Sequence, residues 1–174
     1  NDEKMDLVIR LSERNIFENT GGPFGAGIFE KSSGRLVAPG VNIVVPQSCS
    51  VAHAETMAIM IAQNACGTFD LGASSLPDME LVTSAQPCIQ CFGNIWWSGL
   101  KSVVVGATCK DVEELTGFEE GPVPYNWVEL FQHRENLETI VVTQGIQQNK
   151  ARRVLQTYNG LVYNAGADRD QIVI

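Results

Sequence analysis

The sequence has few basic residues and no long hydrophobic run. Its 174 residues carry 12 basic against 20 acidic side chains, a formal charge of −8. This balance disfavours a protein that wraps long nucleic acid, because such proteins place Lys and Arg on phosphates. The longest strong apolar run, residues 102–107, is much shorter than the roughly 20 residues of a membrane span. We therefore expect neither long nucleic acid nor a membrane as a partner.

Cysteine is too sparse, and odd in number, for a small secreted scaffold held by disulfides. The chain contains five cysteines, whereas such scaffolds usually show a dense, even set. Reduced thiols in an intracellular protein fit better, so we expect a cytoplasmic location by default. The chain begins at Asn1 without Met, which leaves a removed leader open.

The order of helical and strand patterns indicates the fold class. Hydrophobic content of 44% and charged content of 18% are typical of a globular chain. The patterns predict helices at 4–19, 52–66, 87–100 and 148–158, a helical turn at 111–115, and strands at 24–30, 35–45, 79–84, 101–107 and 138–144, with 128–136 ambiguous. Alternating strands and helices behind an initial hairpin favour a mostly parallel sheet. We predict a single α/β domain over residues 1–174.

Two short motifs stand at the starts of predicted helices and could hold a metal. They are His53-Ala54-Glu55 and Pro87-Cys88-Ile89-Gln90-Cys91. Cys88 and Cys91 are three apart and can share one helix face, and a helix N-terminus favours the thiolate that binds metal. With His53 as third ligand, zinc would keep one open position for a water whose pKa falls to about 7. Glu55 would then accept the proton of that water.

The Cys-x-x-Cys pair alone also fits a redox pair, half of a structural zinc site, or two buried thiols. A structural site needs a fourth ligand, and Cys49, Cys66 and Cys109 form no second pair of this kind. A zinc-binding interaction module without catalysis stays open as an alternative. The combination H-x-E…P-C-x-x-C, however, is the signature of zinc deaminases, and it favours catalysis.

On these two motifs the chain resembles the cytidine/deoxycytidylate deaminase-like superfamily, from about residue 21 to 145. The resemblance implies a three-layer α/β/α sandwich around a mixed five-stranded sheet. It also implies one zinc ion per chain, held by His53, Cys88 and Cys91, with proton transfer by Glu55.

The segment Gly21-Gly22-Pro23-Phe24-Gly25-Ala26 is similar to the purine branch of the superfamily. The resemblance implies that Phe24 forms a wall of the pocket and that Asn42 hydrogen-bonds the base. A neutral amide suits this task because it can donate and accept at once. Ala54, inside the first motif, is placed with these substrate-binding residues. Core packing of Phe24 and an exposed strand end at Asn42 are the alternatives.

A second segment, Thr116-Gly117-Phe118-Glu119-Glu120, is similar to one in bacterial guanine deaminases of this fold. The resemblance implies that Glu119 is a second proton carrier, with Glu120 the less favoured choice, although the family more often has Asp there. A solvated acidic loop is the alternative. Trp97 matches an aromatic position that flanks the base in those enzymes.

These resemblances imply hydrolysis of guanine, a small nucleobase, to xanthine and ammonia. Deamination of adenosine in tRNA is the alternative, because it uses the same zinc motifs. That reaction needs a basic surface, and the only basic cluster is Lys150-Ala151-Arg152-Arg153, which is also typical of a solvated helix face.

The last segment, residues 160–174, ends on three β-branched apolar residues, whereas chain termini are usually frayed. In guanine deaminases of this fold such a tail can cover the active site, commonly in a domain-swapped dimer. We therefore expect a homodimer whose tail covers the site or exchanges between subunits; packing on its own subunit is the alternative.

Overall fold

A five-stranded sheet lies at the centre of the fold, which we describe from a computed structural model for residues 1–164. The strands are β1 (Gly25–Glu30), β2 (Leu36–Val41), β3 (Met79–Ala85), β4 (Ser102–Ala107) and β5 (Val141–Thr143). The helices are α1 (Asp2–Phe17), α2 (Ala54–Cys66), α3 (Ile89–Trp97), α4 (Cys109–Thr116), α5 (Trp127–Gln132) and α6 (Gln148–Gln156). None of the helices within residues 1–164 combines the length and hydropathy needed to cross a membrane.

The sheet is mixed, with strand order β2-β1-β3-β4-β5. β1 pairs antiparallel with both β2 and β3, while β3, β4 and β5 run parallel. Parallel neighbours need a crossover, which α3 supplies between β3 and β4. As a result the chain enters α3 directly from the end of the central strand β3.

Helices cover both faces of the sheet, which confirms the predicted three-layer α/β/α sandwich. One core contains Ala58 of α2, Ile95 of α3 and Phe131 of α5. The other contains residues of α1, α4 and α6, among them Met5. Val103 and Val105 of β4 face the first core and Val104 faces the second, as the two-residue period of a strand requires.

Two segments differ from the sequence prediction. The ambiguous stretch 128–136 contains the short helix α5, and the strand predicted at 138–144 is reduced to the three residues of β5. β5 is an edge strand whose first residue, Val141, is half exposed. Its ladder begins at the first residue of β4, where Ser102 pairs with Val141, so residues 138–140 lie before the start of β4 and the pairing covers only residues 141–143.

The backbone of β2 touches the start of α2 at Gly40. A Cβ atom there would lie 2.1 Å from the carbonyl oxygen of Ala54 and 2.6 Å from the amide nitrogen of Ala58. Only glycine permits this approach, because both obstacles are backbone atoms that cannot rotate away. The contact fixes the distance between the first turn of α2 and the sheet.

We expect Gly40→Ala to destabilise the chain by about 1–3 kcal/mol, the usual effect of overpacking, or several degrees in Tm. Gly93→Ala is the matched control, because a Cβ on Gly93 of α3 meets nothing within 4 Å. This substitution should raise Tm slightly, since glycine in a helix interior is unfavourable. Thermal unfolding followed by circular dichroism tests the pair, and equal effects of both substitutions would contradict the close contact.

Candidate active site and metal centre

The two sequence motifs meet where α2 and α3 begin. His53 is the N-cap of α2 and Cys88 the N-cap of α3, both in extended conformation, and Cys91 lies in the first turn of α3. The His53 Nδ1 atom lies 3.4 Å from the Cys88 Sγ and 3.6 Å from the Cys91 Sγ. The three ligand atoms are all within 4.8 Å of one another. The predicted ligand set is therefore assembled by the fold.

This donor set fits zinc. One imidazole and two thiols are ligands that Zn²⁺ prefers, and three protein ligands leave a tetrahedral position free. Both helix N-termini also point their positive dipole ends toward the thiols, which favours the charged form of cysteine. His53, Cys88 and Cys91 form a group able to hold one metal ion.

Glu55 lies beside the metal group in the first turn of α2 and is only 6% exposed. Its Oε1 accepts a hydrogen bond from the Thr83 hydroxyl of β3 at 3.1 Å, and its Oε2 lies 3.3 Å from the Cys91 Sγ. These contacts hold the carboxyl group at the edge of the ligand set. Thr83 is a partner that sequence reasoning did not single out.

The protonation states of the thiols differ although they are neighbours. Hydrogen bonding from Cys91 and then from His53 lowers the pKa of Cys88 to about 4. The hydrogen bond to Cys88 and burial raise the pKa of Cys91. Burial lowers the pKa of His53, but its interactions with Cys88 outweigh this effect and the pKa lies above its ordinary value. Before a metal binds, Cys88 is therefore the thiolate of the pair.

A cavity of about 20 Å³ adjoins the metal group. Its lining includes three residues of the two motifs, His53, Glu55 and Cys88, and the further residues Phe24, Asn42, Gln86, Phe118, Glu120, Tyr163 and Asn164. Phe24 packs edge-on against Phe118, with ring centroids 5.3 Å apart. The structure thus brings Phe24 and Asn42 to the pocket where the sequence analysis expected them.

The loop after α4 places Glu120, not Glu119, in the pocket. Glu120 is 6% exposed and lines the cavity, whereas Glu119 is exposed to solvent. The main-chain carbonyl of Glu120 accepts a hydrogen bond from the Ile89 amide of α3 at 3.0 Å, which holds the loop against the site. This placement favours Glu120 over the predicted Glu119 as the acid near a substrate, since adjacent residues of the loop face opposite sides.

Trp97 and Ala54 do not line the cavity. Trp97 is 75% exposed at the far end of α3, six residues or about 9 Å along the helix from Cys91. Ala54 is fully buried, with its carbonyl facing Gly40. Neither placement supports the predicted contact with a base, because the pocket opens at the beginning of α3 and on the other side of the α2 entry.

The described end of the chain lies over the pocket of its own subunit. The Asn42 Nδ2 atom donates to the Tyr163 hydroxyl at 2.7 Å, and the Tyr163 ring contacts Phe118 at a centroid distance of 5.0 Å. The Asn164 side chain bonds both main-chain groups of Glu119. Residues 165–174, which include most of the predicted tail, lie outside the described residues.

Four residues of the lining received no site role from the sequence. Gln86 and Phe118 each adjoin a motif, and their positions next to Pro87 and Glu119 are a signal that could have found them. Tyr163 and Asn164 belong to the tail, residues 160–174, that was expected to cover the site, but neither was singled out within it. Tyr163 reaches a partner 121 positions earlier in the chain, and only the tertiary fold reveals this contact.

A His-Cys-Cys ligand set with a buried glutamate two residues after the histidine defines a zinc-dependent deaminase site. The chain belongs to the cytidine and deoxycytidylate deaminase family, whose zinc-binding region matches residues 1–107. Zinc is accordingly its cofactor.

Individual relatives are similar over most of the chain. A guanine deaminase of Bacillus subtilis is 35% identical over 142 residues, covering 74% of this chain and 86% of the relative. A solved guanine deaminase from Nitrosomonas europaea has a TM-score of 0.84 at 45% identity, covering 89% of this chain and 82% of the other. The protein NE0047, crystallised with 2,6-diaminopurine, has a TM-score of 0.84 at 46% identity, with coverages of 93% and 84%.

The pocket should make stability depend on pH through Glu120. Burial, and then the charges of Cys88 and Glu55, raise the pKa of Glu120 from 4.5 to about 9. A raised pKa in the folded state stabilises the protein below pH 4.5, and this stabilisation is lost as the pH rises toward 9. In metal-free protein, the free energy of unfolding of Glu120→Gln should therefore increase relative to that of the wild type as the pH rises from 5 to 8. The increase should be at least about 1.4 kcal/mol, which corresponds to one pKa unit.

Urea unfolding of chelator-treated protein at pH 5 and pH 8 measures this difference. Glu119→Gln is the control, because it removes a carboxylate of the same loop that is exposed to solvent. If Glu120→Gln shows the same pH dependence as Glu119→Gln, Glu120 is not the buried acid described above.

Proposed function

We propose that this chain hydrolyses guanine to xanthine and ammonia at the zinc site. The proposal is supported above all by the pocket, in which the metal group faces a buried acid and the amide of Asn42. It is supported further by the guanine deaminases of Bacillus subtilis and Nitrosomonas europaea, which are similar over most of their length. The neighbour crystallised with 2,6-diaminopurine shows that a pocket of this fold takes an aminated purine.

Glu55 carries the first proton. Zinc held by His53, Cys88 and Cys91 would polarise a water molecule for attack on C2 of guanine, the carbon that bears the amine. Glu55 takes the proton of the attacking water and delivers it to the ring nitrogen N3. The hydrogen bond from Thr83 orients the carboxyl group for this transfer. Burial, and then the charge of Cys88, raise the pKa of Glu55, which makes it a better base than an exposed carboxylate.

Glu120 supplies the second proton. Collapse of the tetrahedral intermediate breaks the bond from C2 to the amine once the amine is protonated, and a carboxyl group that is neutral at pH 7 can donate that proton. The proton of the C2 hydroxyl passes back to a pocket carboxylate as the C2 carbonyl of xanthine forms, so the proton count is restored. In the metal-free protein the raised pKa of Glu120, about 9, means that the acid is protonated at neutral pH, and its burial favours the protonated form whether or not a metal is bound. Glu119 takes no part, because its side chain is exposed outside the cavity.

The base is held by Asn42 between aromatic walls. The Asn42 Nδ2 atom already donates to a polar atom in the pocket, the Tyr163 hydroxyl, and a ring nitrogen or carbonyl of guanine can take that place. A cavity of about 20 Å³ holds about one water molecule and not a purine. Tyr163 therefore leaves Asn42 when the base enters.

A free base fits this site better than tRNA does. Residues 161–164 lie over the pocket and must move for either substrate, so the charge of the surface is what distinguishes the two. In the basic cluster on α6, Lys150 pairs with Asp6 at 2.5 Å and Arg152 pairs with Asp111. Of the three cations only Arg153 is left exposed, which is too little charge to bind a phosphate backbone.

We also infer a homodimer, formed through the outer face of α2 and α3. Trp97, Phe69 and Met60 are 75%, 85% and 55% exposed there, and none of the ten residues lining the groove between these helices is charged. The two helices contain one charged residue, Glu55, and it is buried. Two chains of charge −8 meet with least repulsion on such a face, and homodimer interfaces are typically apolar. Exchange of the tail between subunits stays a prediction.

All five cysteines are free thiols in the structure. The cytoplasmic location stays a prediction from the sequence.

Ammonia release from guanine, adenine, cytosine, cytidine and an amino-triazine, with xanthine identified by chromatography, tests the activity. We expect guanine to be the best substrate. Glu55→Gln should lower kcat by about 10²–10⁴ while the variant still binds one zinc ion. Unchanged activity of this variant, or zinc-loaded protein without activity on any of these rings, would favour an interaction module instead.

The same assay separates the two neighbouring acids. Glu120→Gln should lower kcat by about 10²–10⁴, the usual range for a lost acid, and Glu119→Gln should change it less than about twofold. Equal effects, or a larger loss in Glu119→Gln, would return the role to Glu119.

Sedimentation equilibrium tests the dimer. The wild type should be dimeric, and Trp97→Asp should be monomeric because it places two carboxylates in a desolvated contact. Tyr125→Asp is the control, since Tyr125 is 98% exposed and lies outside the groove. A monomeric wild type, or a dimer that persists in Trp97→Asp, would contradict this interface.

A further inference from the structure

Asn15, in the last turn of α1, is a buried polar residue that does not line the cavity. It is 3% exposed, and its side chain bonds to two loops that form the pocket. We propose that Asn15 is a positioning residue which sets the orientation of Asn42 toward the substrate. This inference rests on the proposed binding of the base by Asn42.

The amide of Asn15 joins the two loops directly. Its Nδ2 atom donates to the carbonyl oxygens of Gly22 and Asn42, each at 2.8 Å. Its Oδ1 atom accepts from the Thr20 hydroxyl at 2.8 Å. Both protons of the amide are thus used on main-chain acceptors, one in the loop that leads to Phe24 and one at Asn42 itself.

Asparagine is the residue that this position requires. Two carbonyl oxygens converge on one side chain, so the side chain must offer two protons from one atom and carry no negative charge. An aspartate at this position would place a carboxylate oxygen next to both carbonyl oxygens, which would repel it. The loop also approaches closely, because a Cβ on Gly21 would lie 1.8 Å from the Asn42 carbonyl oxygen. The contact therefore depends on both the amide and the glycine.

The bond from Asn15 completes the restraint on Asn42. The Asn42 main-chain N–H donates to the Phe24 carbonyl at 3.2 Å, and its Oδ1 accepts from the Val44 N–H at 3.3 Å. Since Asn15 also holds the Asn42 main-chain carbonyl, both the backbone of Asn42 and the oxygen side of its side-chain amide are fixed. The Nδ2 atom is left to face the cavity, where it now bonds Tyr163. Asn15 thereby determines which atom of Asn42 a substrate meets.

Steady-state kinetics of zinc-loaded Asn15→Ala tests this role. We expect KM for guanine to rise about tenfold or more with kcat within about threefold, because a lost orientation of Asn42 weakens binding rather than chemistry. Ser12→Ala is the matched control. Ser12 is 1% exposed on the same face of α1, and its hydroxyl bonds only the Ile9 carbonyl of its own helix. This variant should lose stability while KM stays within about twofold.

Two further variants keep the test decisive. In the Asn42→Ala background, Asn15→Ala should change KM less than about twofold, since its effect passes through Asn42. Should Asn15→Ala fail to fold, Thr20→Val removes the hydroxyl that bonds the Asn15 Oδ1 at 2.8 Å and the Asn15 main-chain carbonyl at 3.3 Å, and it should raise KM about threefold. A full effect of Asn15→Ala in the Asn42→Ala background, or equal KM for Asn15→Ala and Ser12→Ala, would overturn the proposal.

A measurement without substrate separates this inference from the proposed function. Amide hydrogen exchange at Val44, whose N–H bonds the Asn42 Oδ1, should be about tenfold faster in Asn15→Ala, or in Thr20→Val if the first does not fold, than in Ser12→Ala. If the wild type does not turn over guanine but this difference appears, the positioning role stands and the substrate assignment fails. Equal exchange rates would contradict the positioning role whatever the substrate.

Discussion

This site depends on one constraint, the electrostatic repulsion among acidic groups that are buried close together. Cys88, Glu55 and Glu120 line the same cavity, where His53 is the one base, and the Cys91 thiol lies 3.3 Å from Glu55. Of the described residues, no lysine or arginine lines the cavity. Burial and mutual charge raise the pKa of both glutamates. A divalent cation supplies the positive charge that this arrangement lacks, and the two helix N-termini add partial charges of the same sign. The fold therefore builds an affinity for metal before any single ligand is considered.

The way in which the sheet and helices are joined brings these groups together. Gly40 lets β2 approach the start of α2 at backbone distance, and β3 runs directly into the loop before α3. Both helix starts thus come to the same side of the sheet. Ligands from residues 35 or more positions apart meet because their backbones are fixed by strand pairing, not because the ligands attract one another.

How far the sequence could predict this protein depended on the range of each interaction. The ligand motifs, Glu55 and the buried strand β4 are local patterns, and the structure contains them where they were expected. The choice between Glu119 and Glu120 depends on the path of an irregular loop, which has no side-chain period to read. Trp97 was placed beside the base from the resemblance to guanine deaminases, whereas the structure has it at the far end of α3 from Cys91. Tyr163 and the role of Asn15 depend on contacts between distant segments, which no local pattern records.

The hydrogen bond between Asn42 and Tyr163 has a thermodynamic consequence for ligand affinity. In the closed form Tyr163 bonds the amide of Asn42, and in the open form this bond is broken and a base can bind. The protein exchanges between these two forms. The observed dissociation constant is then the intrinsic constant divided by the open fraction. Affinity can thus change through residues that never touch the base, since any change that weakens the packing of Tyr163 on Phe118 enlarges the open population. Tyr163 therefore competes with the base for the amide of Asn42, and its effective concentration at that amide is set by the fold.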